Sequence, residues 1–188
     1  MIERGAAATT FVFPGAYDEI DAHYQERGWT DGLPIVPPTE TAVAEFLCWT
    51  DRHPREVVGV LPPRQGEATV ERIAANAVMA GCRPEYFPVI LAAIALADPL
   101  FNLDSIQATT HPAAPLIVVN GPIVQEIGLN AGYNAFGQGF RANVTIGRAI
   151  RLVLMNVGGG LPGTGDRATQ GSPAKIAYCF AENEAESP

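Results

Sequence analysis

The chain has 188 residues, 47% of them hydrophobic and 17% charged, with a net charge of −8. That length suits one domain, or one domain with a wrapping arm, and supplies ample material for a core. Lys175 is the only lysine and the eleven arginines form no basic run, which argues against nucleic-acid and anionic-membrane partners. The low charge fraction leaves room for a buried interface. The three cysteines, Cys48, Cys82 and Cys179, are far apart and odd in number, so no disulfide framework is expected. Met1 to Thr10 lacks a signal-peptide core, and the apolar run from Phe87 to Ala97 is bracketed by prolines. The chain is therefore read as cytoplasmic.

Residues 1–13 read as a loose arm. Tyr17, Ile20 and Tyr24 at helical spacing predict a short amphipathic helix over 15–27, closed by Gly28. The run from Trp29 to Pro38 (Trp-Thr-Asp-Gly-Leu-Pro-Ile-Val-Pro-Pro) forbids helix and reads as an extended strap. Thr39 caps a helix to about Trp49, in which Cys48 should be packed. Val57 to Leu61 reads as a strand. Thr69 caps a helix from Val70 to Ala80, and a second helix runs from Pro84 to about Ala97. Ile106 to Thr110 and Leu116 to Asn120 read as strands, the second apolar enough to be covered on both faces. A Gly-, Asn- and Gln-rich loop spans 121–142 and leads into a helix from about Val144 to Val157. Ile176 to Phe180 reads as a last strand. The expected fold is α/β or α+β: a small mixed sheet packed by helices, with an extended N-terminal arm. Residues 1–38 form the arm and strap, and residues 39–188 form the core.

The stretch from Asn120 to Arg148 is the richest in ligand-binding types. It follows one strand and precedes a helix, the usual setting for a small-molecule site. Asn120, Asn134, Arg141 and Asn143 are the expected substrate-binding residues, the last three around one cavity. An arginine there would clamp an anion. The competing reading is an ordered loop held by its own amides. Three groups are candidates for chemistry. Cys82 lies between two helices and next to Arg83, where a helix N-terminus and a cation would lower a thiol pKa; its alternative is simple packing. His111, after a strand, is the best histidine for acid–base work. Glu182 follows the last strand with Glu184; these carboxylates read as acid–base groups, as metal ligands or as solvated surface charges. His23, His53 and His111 have no metal-ligand spacing, so no metal is assigned, and no motif identifies a cofactor.

Three phrases carry a resemblance: Trp-Thr-Asp-Gly-Leu-Pro-Ile-Val-Pro-Pro-Thr at 29–39, Ala-Gly-Cys-Arg-Pro-Glu-Tyr-Phe-Pro-Val at 80–89, and Lys-Ile-Ala-Tyr-Cys-Phe-Ala-Glu-Asn-Glu at 175–184. Together they resemble an uncharacterised bacterial family whose members accompany, or are fused to, UGSC-type (seleno)proteins. Those proteins are in turn similar to glycine-reductase-like subunits, which cleave carbon–heteroatom bonds with a selenol or thiol. This chain has no Cys-Gly-Ser-Cys motif, so that chemistry does not carry over residue by residue. Relatives of this kind look longer, with a further domain after the Glu-Asn-Glu segment. The resemblance implies the small subunit of a split enzyme, an oxidoreductase or lyase acting on a polar or anionic small molecule. Its alternative is a non-catalytic partner that completes or stabilises a larger catalytic chain. Either way the chain is expected to be a hetero-oligomer with a second chain, or a homo-oligomer.

Overall fold

One helix organises the molecule. In the computed structural model, which describes residues 12–13, 15–97 and 102–186, Arg141–Asn156 form a helix buried around almost its whole circumference. Its interior is not purely apolar, because Asn143, Arg148 and Arg151 are buried with it. Buried polar groups need partners, and each of these finds them on a different segment outside the helix. The helix is thus both the core and the frame to which the loops are fastened.

In chain order the elements are α1 (Tyr17–Glu26), α2 (Glu40–Leu47), β1 (Val57–Leu61), β2 (Gly66–Thr69), α3 (Val70–Met79), α4 (Phe87–Ala97), α5 (Leu103–Ala108), β3 (Ile117–Val119), α6 (Ile123–Glu126), α7 (Arg141–Asn156) and β4 (Cys179–Ala181). Thr39 and Thr69 cap α2 and α3 by accepting from the N–H groups of Ala42 and Arg72, as their positions predict. The stripe of Val70, Ile73, Ala74, Ala77 and Val78 is buried, and α3 lies along α7. After the positive-φ Gly81, a 3-10 turn at Pro84–Tyr86 starts α4, whose Phe87, Ile90 and Ile94 are fully buried. The class is α+β. The strands form two separate pairs: β1 and β2 run antiparallel, and β3 and β4 run parallel. No helix among the described residues is long and apolar enough to cross a membrane.

The strap is fixed at many points. Tyr17 donates its hydroxyl to the Ile35 carbonyl at 2.9 Å, and Asp21 accepts from the Ile35 N–H at 3.1 Å. Asn156 donates to the Trp29 carbonyl at 3.0 Å. Arg148 reaches the carbonyls of Leu33 and Pro34 as well as Asp31. Of the expected arm, residues 1–11 lie outside the described residues.

Several expectations are corrected. Ile106 to Thr110 is not a strand: Leu103–Ala108 is helical, capped by Asn102, which accepts from the Ser105 N–H. The apparent run of β-formers loses to that cap and to the burial of Leu103 and Gln107 on one side of the turn. Gly66–Thr69, short and mostly polar, gave no strand signal, yet it pairs with β1. The β3 strand is covered on one face only; Val118 is 49% exposed. Helix α7 begins at Arg141, three residues before the expected start, so Arg141 and Asn143 are helical. Cys48 is exposed, not packed.

Candidate functional site

The β3–β4 pair and the loop before α7 create an open concavity. The parallel register sets Ile117 beside Cys179, Val118 beside Phe180 and Val119 beside Ala181. Strand side chains alternate, so Cys179 and Ala181 turn inward and are buried while Phe180 turns outward. The ladder continues one step, the Glu182 N–H donating to the Val119 carbonyl at 2.8 Å. Period two therefore puts Glu182 on the same face as Phe180. Phe136, in the loop, stacks at 4.6 Å from Phe180 and 5.7 Å from Tyr178 between ring centroids. The resulting hollow has a volume of about 470 Å³ and is lined by Ala131, Gly132, Asn134, Ala135, Phe136, Gly137 and Phe180.

Asn134 lines the hollow. It sits at φ +61°, a left-handed conformation that asparagine tolerates better than most residues, and its amide donates to the Gln138 carbonyl at 2.7 Å. Asn143 does not line it. From α7 it accepts from the Asn130 N–H at 2.9 Å and donates to the Asn130 and Ala135 carbonyls at 3.0 and 3.2 Å. It is the buried post that shapes the loop from beneath. Arg141 points elsewhere, donating to the Gly81 carbonyl at 3.0 Å. The expected triangle of Asn134, Arg141 and Asn143 around one cavity is therefore replaced by three separate tasks.

Asn120 and Glu182 do meet. The Asn120 amide donates to a Glu182 carboxylate oxygen at 3.0 Å, and the adjacent Gly121 N–H donates to Glu184 at 2.6 Å. These two exposed carboxylates stand at the carboxyl end of the parallel pair. His111 is at the other end. The segment 110–113 runs beside 169–175, with Thr169 bonded to Thr110, Ser172 to Pro112 and Lys175 to Ala113. His111 is exposed, follows α5 and a bend rather than a strand, and lies 3.2 Å from the Thr109 hydroxyl.

Cys82 is corrected most strongly. Its thiol is buried and donates to the Thr145 carbonyl at 3.2 Å. Burial pushes its pKa up to about 12; the Thr145 contact and the charges of Arg141 and Arg148 only partly oppose this. The expected stabilisation of a thiolate by Arg83 does not arise, because that guanidinium is exposed and faces Glu85. Cys179 is likewise raised to about 12, by burial first and then by the proximity of Cys82. Both are neutral thiols in a packed interior. Among the described residues no group of three metal-donor side chains converges.

Two features escaped the sequence reading. Phe136 and Phe180 build the walls of the hollow, but an aromatic in a glycine-rich loop carries no signal of what it will stack on. Arg148 belongs to the same rich stretch as Asn143 yet serves the strap; only its pairing with Asp31, 117 residues away, gives it a role. A second buried ion pair joins Lys175 to Asp166 at 2.8 Å, with Arg151 3.8 Å from the same carboxylate. Burial lowers the pKa of Arg151, and Asp166 opposes that shift.

Comparison with protein-family models, with curated proteins and with solved structures finds no match to this chain.

Proposed function

We propose that this chain is one subunit of a small-molecule enzyme, holding a polar substrate in the hollow between Phe136, Phe180 and Asn134, with Glu182 as the acid–base group at its rim. The observation that carries this reading is that Phe180 walls the hollow while Glu182, two residues on and just past β4, presents an exposed carboxylate steadied by Asn120. A polar or neutral substrate is favoured over an anion. Arg141 is engaged at Gly81, and the amides of Gly132, Ala135 and Gly137 are already spent on Asn130, Gly132 and Asn134. Acid–base chemistry is favoured over thiol chemistry, since Cys82 and Cys179 keep their protons.

The reading as a non-catalytic partner chain has its own support. Tyr133 is 99% exposed and Phe136 is 67% exposed, on the very loop that walls the hollow. Exposed aromatics in a group mark interaction surfaces, and the hollow lacks a covering side.

Nuclear magnetic resonance titration with acetate, acetamide and methylamine, on the chain alone and together with the product of the neighbouring gene, tests the proposal. Acetamide or methylamine should shift the amides of 131–137 and β4, and Asn134→Ala should remove the effect. Shifts confined to acetate, or absent from this region in both samples, would count against it. Turnover by the chain alone would retire the non-catalytic reading.

A further inference from the structure

We infer that the open side of the β3–β4 pair is a docking surface for a different protein chain, which adds an extended segment along the free edge of β3 and brings basic side chains to Glu182 and Glu184. This deepens the subunit reading above and rests on it.

The backbone supplies the first argument. The Ile117 N–H donates to the Tyr178 carbonyl, and the Val119 carbonyl accepts from Glu182. In a parallel pair alternate residues bond to opposite sides, so the N–H and carbonyl of Val118 point away from β4. On that side β3 has no neighbouring strand among the described residues. An unpaired edge is a template for another strand.

The side chains supply the second. Parallel sheets are normally covered on both faces, but here α7 covers only the face of Cys179 and Ala181. The other presents Val118, Phe180, Tyr178 and Phe136, of which Val118 is 49% and Phe136 67% exposed.

Charge decides what kind of chain. Glu182 and Glu184 are held by an amide side chain and a backbone N–H, and neither has a cationic partner among the described residues. A second copy does not answer this. Antiparallel pairing of β3 with its own copy would set Asn120 and Glu182 against the Pro115–Leu116 end of the other strand. The lysine at that end, Lys175, is already held by Asp166 and the Ala113 carbonyl. Each copy would also bring a further charge of −8. A basic, alternately aliphatic segment satisfies edge, face and charge together.

The test uses two synthetic hexapeptides, acetyl-Lys-Val-Lys-Val-Lys-Val-amide and its Glu-Val counterpart, titrated into the isotope-labelled chain. The basic peptide should shift the amides of Val118, Asn120 and Phe180. It should slow exchange of the Val118 N–H about tenfold at roughly ten times its dissociation constant, while the acidic peptide does neither. Val118→Lys, at an exposed position that leaves the fold intact, should abolish the effect, and Glu182→Gln with Glu184→Gln should erase the preference for the basic peptide. Equal response to both peptides, or none, overturns the inference. So does a concentration-dependent dimer in which Val118 is protected without peptide, since the occupant is then a second copy. Turnover by the isolated chain would instead retire the subunit reading, whatever the peptides do.

Discussion

Asp31 and Arg148 form a two-pronged ion pair, with Nε and a terminal nitrogen of the guanidinium each 2.8 Å from a different carboxylate oxygen. Their side chains are 4% and 11% exposed. The same guanidinium also donates to the carbonyls of Leu33 and Pro34, so one side chain of α7 holds both the turn and the rigid part of the strap. Removing it leaves a buried carboxylate without its cation, with only the Leu33 N–H still donating to it, and takes a donor from the Leu33 and Pro34 carbonyls. Arg148→Ala should destabilise the chain by about 3–5 kcal/mol, measured by urea unfolding. Arg148→Lys should recover only part, because an ammonium cannot match the fork.

The thiols should react in an order set by burial. Cys48 is exposed, so iodoacetamide should label it first in the folded chain, with Cys82 and Cys179 protected until unfolding. Mass spectrometry of timed digests reads this directly. Fast labelling of Cys82 would contradict its placement.

The same two thiols give an alkaline signature. Their folded pKa values are raised from 9.0 to about 12, so the folded chain keeps protons that the unfolded chain releases. Their contribution is full below pH 9 and is lost as pH rises from 9 towards 12. Melting temperature followed across that window should fall, and Cys82→Ala should flatten the slope.

Asn143→Ala should loosen the wall of the hollow without touching a ligand. It removes an acceptor from the Asn130 N–H and a donor from two carbonyls. The expected cost is about 1–3 kcal/mol, with faster hydrogen exchange at Asn130. Unchanged exchange there would show that the loop holds its shape without this post.

Gly147 lets α7 touch the segment that leads into β4. A methyl group at this position would lie 2.5 Å from the Tyr178 nitrogen and 3.1 Å from Ala177 backbone atoms. Gly147→Ala should therefore cost about 1–3 kcal/mol through overpacking. It should also disturb the β4 amides more than those of β1, as a nitrogen–proton correlation spectrum would record.

Much of the local structure was legible because local rules decide it. Helical spacing, Thr39 and Thr69 as caps, Gly28 and Gly81 as stops, and the proline strap each depend on a few neighbouring residues. The α+β class and the low strand content follow from those elements. Ile106–Thr110 shows the limit: a run of β-formers cannot reveal that an asparagine cap and a buried Gln107 will turn it into helix. Asn120 with Glu182 came together because both follow strands that prove to be neighbours. Cys82 failed for the opposite reason: adjacency to Arg83 in sequence says nothing about whether the thiol faces that cation or the interior.

The sequence by itself determined the proline strap and most of the helices, though not α5 or α6, and it marked the Gly- and Asn-rich stretch while leaving open whether its polar groups hold a ligand or each other. Only the tertiary structure decided which of those groups remain free for a ligand. A buried polar side chain must find a partner wherever the packed chain brings one. Asn143 was therefore committed to Asn130 and Ala135 and Arg148 to Asp31, while the exposed Arg141 bonds to Gly81 and Asn134 and Phe180 line the hollow.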